Sequence, residues 1–228
     1  MMTVANGMMA FWADIDVDYV REFRRWHNCE HMSERLHIPG FINGRRYCGN
    51  GDAAMFLMYY ETRTPEVMAS KAYHAALNNP TPWTGESLTH FRNPARNIYR
   101  LLGGSGSSVA AATPFLATIR FNLIDDNESI LSRYREKILP ALTAQEDVVR
   151  ARLWAIDEEI SAIMTSERKI YNGGPGQQRY LLFIELTSER QAIMPDELPG
   201  LTADAAVRHA NIFAECGWLD FASEAPGQ

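Results

Sequence analysis

The stretch Asp16–Thr62, DVDYVREFRRWHNCEHMSERLHIPGFINGRRYCGNGDAAMFLMYYET, reads as a helix followed by a hairpin. Val20, Phe23, His27 and His31 share one helical face, which predicts a helix over 18–36 with Asp16 and Asp18 as cap candidates. Pro39-Gly40 then turns the chain into a strand over 41–48, and Gly49-Asn50-Gly51-Asp52 turns it back into a strand over 54–61. Outside that core, 8–15 reads as a preceding strand. Thr64-Pro65 opens a second helix that runs to Leu77, and 97–102 reads as a last strand after a Pro-rich stretch. The order β-α-β-β-α-β is the ferredoxin-like arrangement.

Past Gly103-Gly104-Ser105-Gly106-Ser107-Ser108 the same order can be traced again. It gives a strand over 115–122, a helix over 127–142, strands over 148–156 and 180–186, and a helix over 203–215. GRRYCGNGDAAMFLMYYET in the first half matches RARLWAID and RYLLFIELTSE in the second by role. The predicted fold class is α+β, with two ferredoxin-like units in one chain whose sheets pack face to face as an α/β barrel. Each unit has one open sheet face, and packing the two together buries both. The predicted boundaries are 1–102 for a first unit carrying the active site, 103–114 for a Gly/Ser linker, and 115–228 for a second, degenerate unit.

The chain has 228 residues, 46% of them hydrophobic and 22% charged, as in an ordinary globular protein. Its net charge of −6 offers no basic field for nucleic acid or an anionic membrane surface. The longest apolar runs fall far short of the roughly 20 residues of a membrane span. The first residues carry no Lys or Arg ahead of an apolar stretch, so no secretory signal is read and a cytoplasmic location is expected. Cys29, Cys48 and Cys216 have no metal or disulfide spacing. Dinucleotide, phosphate-loop and nucleophile-elbow patterns do not occur. Five of six histidines precede residue 103, which concentrates any chemistry in the first half.

Trp26-His27-Asn28-Cys29-Glu30-His31-Met32-Ser33-Glu34-Arg35, then Pro39-Gly40-Phe41 and Gly44-Arg45-Arg46-Tyr47, resemble the helix-then-strand segment of the dimeric α/β-barrel superfamily, in particular its EthD-like members. The likeness covers about the first hundred residues, and the second half only by element order. It implies one of several activities: cofactor-free isomerase, polyketide cyclase or lyase, quinone-forming monooxygenase, or haem-binding dehydratase or peroxidase. A fold of this kind does not choose among them.

His27 and His31 lie four apart on an inward helical face, where an imidazole can serve as general acid or base near neutrality. They also complete His27-x-x-Glu30-His31, the inverted zinc-protease pattern, which would need a third ligand such as Glu86 or His90; no metal is the reading adopted. His90 and Arg92 are candidates to stabilise an oxyanion. Asn79 and Trp83, in Asn78-Asn79-Pro80-Thr81-Pro82-Trp83, are candidates for a loop over the barrel mouth that stacks on a flat substrate. Arg46 and Tyr59 complete the candidate substrate contacts on the paired strands. The expectation is a cofactor-independent enzyme acting on a small aromatic or polyketide-like carbonyl or carboxylate compound. Haem is the alternative cofactor, a non-catalytic binding module the alternative function, and a homodimer stays open.

Overall fold

A computed structural model describes residues 5–51, 54–107, 112–191, 193–198 and 207–226. Eight strands form one closed antiparallel barrel: β1 (Gly7–Ile15), β2 (Phe41–Gly49), β3 (Phe56–Thr62), β4 (Phe91–Gly106), β5 (Phe115–Leu123), β6 (Val148–Ile156), β7 (Tyr180–Leu186) and β8 (His209–Glu224). Around the ring the order is β1-β3-β2-β8-β5-β7-β6-β4, and β4 pairs with β1 to close it. The halves therefore contribute runs of matching order, β4-β1-β3-β2 and β8-β5-β7-β6. They join at their edges, β2 to β8 and β4 to β6, by continuous strand pairing.

Strand alternation sorts the side chains into two layers. Met8, Ala10 and Trp12 of β1 meet Tyr47, Leu57, Tyr59, Tyr99, Trp154 and Phe183 inside the barrel. Met9, Phe11, Ala13 and Ile15 face outward onto the first-half helices. The lumen also holds charge. Glu61 accepts from Asn43 at 2.7 Å and pairs with Arg152, which also reaches Glu185 at 3.3 Å. Glu185 pairs with Arg150 as well, so carboxylates of β3 and β7 share the arginines of β6. Burying these ions without partners would cost several kcal/mol each, so the cluster ties the halves to one register.

The helical segment after β1 is α1 (Val20–Trp26), a five-residue π turn (His27–His31) and α2 (Met32–Leu36). Asp16 and Asp18 do not cap it: Tyr19 precedes it with no side-chain cap, and Asp16 instead binds His90 and Arg92. After β3 come a 3-10 turn (Pro65–Ala69), α3 (Lys71–Asn78) and α4 (Pro82–Leu88). Ser70 caps α3 through the Tyr73 N–H at 3.2 Å, and Thr81 caps α4 through the Thr84 N–H at 3.0 Å. In the second half, α5 (Glu128–Arg133), a π turn (Tyr134–Ile138) and α6 (Leu139–Thr143) cover the sheet, and α7 (Glu158–Ala162) and α8 (Ser166–Tyr171) follow β6.

Three further sequence expectations change. The first is the linker: Gly103–Gly106 are the end of β4, paired with β6 through residues 150–153. These glycines serve close packing, since a Cβ on Gly103 would meet the Arg135 side chain at 2.8 Å, and Gly106 has φ +95°. Of the rest, 108–111 lie outside the described residues. The second is the helix over 203–215: 203–206 are likewise outside, and from His209 onward the chain is β8, which needs its extended form to bridge β2 and β5. The third is the stretch after Asn79, where Pro82 begins α4 as an N-terminal helical proline.

Candidate functional site

A narrow cleft lies between the outer face of the first-half sheet and the helices. It is lined by Met9, Phe11, Met58 and Tyr60 from the sheet, Trp26, His27, His31 and Arg35 from the first helical segment, and Tyr73 and Leu77 from α3. Leu88, Phe91 and Arg96 complete the first-half wall, and Glu167 and Tyr171 come from α8 of the second half. Its cavity volume is about 20 Å³, room for roughly one water.

His27 is sealed, at 1% exposure, and both of its nitrogens are engaged. Arg46 donates from Nη1 to His27 Nδ1 at 2.9 Å, and since a guanidinium cannot accept, the ring proton sits on Nε2. Nε2 then donates to the Tyr60 hydroxyl at 3.2 Å. Arg46 is fixed in turn by Asp220 at 2.7 Å. His31 differs. Its ring lies 4.4 Å from that of Trp26 and 5.7 Å from that of His27, and its Nδ1 is buried with no hydrogen-bond partner. Burial, reinforced by Arg46 and Arg35 for His27 and by Arg35 for His31, holds both imidazoles well below their ordinary pKa, so both are neutral at pH 7.

Arg35, one turn beyond His31, is 1% exposed and pairs with Glu167 of α8 and, at 3.1 Å, with Glu34. Burial pushes the Glu167 carboxyl up against the pull of Arg35, and it lifts the Tyr171 phenol to about 12. Arg96 donates to the Tyr73 hydroxyl at 2.8 Å. Chemically, the cleft offers a neutral imidazole with an unpaired nitrogen, guanidinium groups, phenols, and flat apolar walls.

The remaining sequence candidates lie elsewhere. His90 stacks on Tyr19 at 3.7 Å and pairs with Asp16, and Arg92 binds the same carboxylate at 2.6 Å, so both form a surface cluster at the start of β4. Tyr59 points into the barrel, where it stacks on Tyr47, because it alternates with Tyr60. Asn79 is exposed and donates to the Ala75 carbonyl, closing α3. Trp83 is half-buried on α4 under the Arg25 guanidinium, 5.4 Å away. Arg46 stands behind His27 and does not line the cleft. Glu30 accepts from Thr81 at 2.6 Å and Thr84 at 2.9 Å, so it faces α4 and not the histidines. Among the described residues no group of three or more His, Cys, Asp or Glu side chains is placed to hold a metal ion.

Sequence reasoning missed Arg35, Tyr60, Tyr73, Arg96, Glu167 and Tyr171. Arg35 was visible in principle, since 27, 31 and 35 form one helical stripe. Glu167 and Tyr171 carried no signal, because nothing local shows that α8 reaches across to the other half.

No family model matches the chain, and no curated protein does. Solved structures do. An anthrone oxidase-like protein superposes with a TM-score of 0.65 at 7% identity over 97% of this chain and 94% of that one. A candidate monooxygenase from Lactobacillus acidophilus gives 0.59 at 9% identity over 97% of each chain. A mutant chlorite dismutase from Candidatus Nitrospira defluvii gives 0.52 at 12% identity over 95% and 92%. The chain shares its overall fold with these three structures. No helix is long and apolar enough to cross a membrane among the described residues.

Proposed function

We propose that the protein is a cofactor-independent enzyme that removes a proton from a small aromatic carbonyl or phenolic compound, with His31 as general base. The observation that carries this reading is the unpaired Nδ1 of a buried, neutral His31 in an aromatic-walled cleft. Arg35 lies beside His31 to stabilise the negative charge that develops on the substrate as the proton leaves. The imidazolium formed is offset by that same charge. His27, with both nitrogens engaged, acts as a positioning residue. Isomerisation, cyclisation, carbon–carbon lysis and reaction with dioxygen all begin from such an anion. The names of two similar structures, anthrone oxidase-like and candidate monooxygenase, favour an anthrone- or phenol-type compound. Substrate entry requires the walls to part, because the cleft now holds about one water.

Haem fits this cleft poorly. Of the two cleft histidines only His31 keeps a nitrogen free to ligate iron, and the macrocycle is larger than the aromatic compounds proposed here, so the walls formed by Trp26, Phe91 and Tyr171 would have to part further for it.

The same proposal extends to the architecture, as a fused tandem pair of ferredoxin-like units with an EthD-like first helix. Its support is the matching strand order of the halves and a π turn at the same place in each. Asn93 and Asn211, each third in its long strand, also share a left-handed backbone, with φ of 50° and 52°.

The decisive test is deuterium wash-in from D2O into the acidic CH2 of cyclic aryl ketones, anthrone first, read by mass spectrometry. His31→Gln should slow exchange about 10²–10⁴-fold with folding retained by circular dichroism. An unchanged rate in that variant overturns the mechanism.

A further inference from the structure

Seven arginines are buried among the described residues: 35, 45, 46, 96, 120, 152 and 168. A buried guanidinium is tolerated when a carboxylate or several acceptors satisfy it. Five of the seven hold a carboxylate, namely Glu167, Glu224, Asp220, Glu215 and Glu61 in chain order of the arginines. Arg168 instead donates to three backbone carbonyls, those of Gly173, Ser161 and Ile163. Arg96 stands apart. Its side chain has five N–H donors and one hydrogen bond, to the phenol of Tyr73, and no carboxylate lies within ion-pair reach among the described residues.

Arg96 also sits where a ligand could complete it. It lines the same cleft as His31, and at 8% exposure it belongs with His31 and Tyr171, at 9% each, as the polar lining residues nearest to solvent. Its remaining donors are not sealed off, unlike the Nε atoms of Arg120 and Arg152. Both carboxylates near the cleft, Glu167 and Glu34, are already committed to Arg35. Among the charged residues that line the cleft, Arg35, Arg96 and Glu167, the net charge is +1 with the histidines neutral, and Glu167, bonded to Arg35, attracts Arg96 without pairing with it.

We infer that Arg96, braced by Tyr73, is the anchor for an anionic group of the substrate, and that the substrate is an aromatic monoanion, a carboxylate or a phenolate. The inference rests on the reading of this cleft as a small-molecule site, and it narrows that site to one charge class. A planar guanidinium suits a carboxylate through two parallel N–H bonds and a phenolate through one.

The test uses calorimetric titration of the full chain with benzoate, its neutral isostere benzamide, and 4-nitrophenolate. Benzoate should bind at least tenfold more tightly than benzamide. Arg96→Gln should weaken benzoate at least tenfold and leave benzamide within threefold, whereas Arg96→Lys, which keeps the charge and loses the fork, should weaken it less. A 4-nitrophenolate that responds to Arg96→Gln while benzoate does not assigns the phenolate form. Equal binding of benzoate and benzamide by the unmodified chain together with a 4-nitrophenolate affinity that ignores Arg96→Gln, or affinities for both anions that ignore it, overturns the anchor and leaves the cleft reading standing. Failure of all three probes to bind overturns the cleft reading along with it. Should Arg96→Gln not fold, the benzoate-to-benzamide ratio in the unmodified chain and in Arg96→Lys decides.

Discussion

The two halves build the same helical segment and put opposite contents beneath it. After β1, the π turn begins with His27 and ends with His31, and Arg35 follows four residues on. After β5, the matching π turn begins with Tyr134 and ends with Ile138, and Leu142 follows four residues on. In the second half Ile138, Leu139 and Leu142 pack against Ile119, Phe121, Leu153 and Ile184, and Tyr134 meets His209 Nε2 at 2.5 Å. Where the first half has two imidazoles and a guanidinium, the second has mostly hydrocarbon. A π turn often marks a function, but here it occurs over a filled core as well as over a cleft, so it belongs to the architecture. What sets the first half apart is that ionisable groups stand where the second half has mostly apolar side chains.

Four measurements press on that contrast, apart from the anion-binding test above. The largest effect is expected from His31→Gln, a loss of about 10²–10⁴ in proton-exchange rate. The second concerns the bridge that second-half Glu167 supplies to the first-half cleft. Glu167→Gln should cost about 3–5 kcal/mol in denaturant unfolding, because Arg35 loses its buried partner, whereas Arg35→Met with Glu167→Met should be close to neutral. That double variant gives the first half the apolar filling the second half already has. A single variant no more costly than the double would show the bridge to be unimportant.

The third is a pH dependence. Both cleft histidines have folded pKa values depressed by burial, so the unfolded chain takes up protons first as pH falls. Their neutral form favours folding above about pH 6.5, the unfolded value, and that stability is lost on acidification below it. The slope is at most about 1.4 kcal/mol per pH unit for each histidine. His209, also depressed by burial, adds a share from the second half. Calorimetric melting between pH 7.5 and 5.5 should show this acid limb, and His27→Gln with His31→Gln should flatten most of it. The smallest effect is Tyr134→Phe, which removes the hydroxyl bonded to His209. It should lower stability by about 0.5–1.5 kcal/mol and leave exchange activity unchanged.

The sequence carried much of this in patterns confined to one element. Strands β1, β2, β3, β5, β6 and β7 and both π-turn helices follow from local periodicity, and so does the inward stripe of His27 and His31. What was hidden depends on partners distant in the chain. Gly103–Gly106 read as a flexible run because their neighbours, Arg135 and β6, cannot be seen locally. Residues from His209 onward have a spacing that suits a helix, yet pairing with β2 and β5 makes them a strand. The same holds for the site: His90 and Arg92 looked available until Asp16, far earlier in the chain, claimed both.

The closure of the barrel through β2 and β8 has a consequence for how the chain is made. β2 ends at Gly49 and its outer partner begins at His209, about 160 residues later. At ribosomal speeds of about 5–20 residues per second, β2 waits on the order of ten to thirty seconds with its hydrogen-bonding edge uncovered. An uncovered edge is a template for pairing with a neighbouring nascent chain. The finished ring presents no such edge, so the hazard is confined to synthesis and refolding, and it should rise steeply with the concentration of incomplete chains.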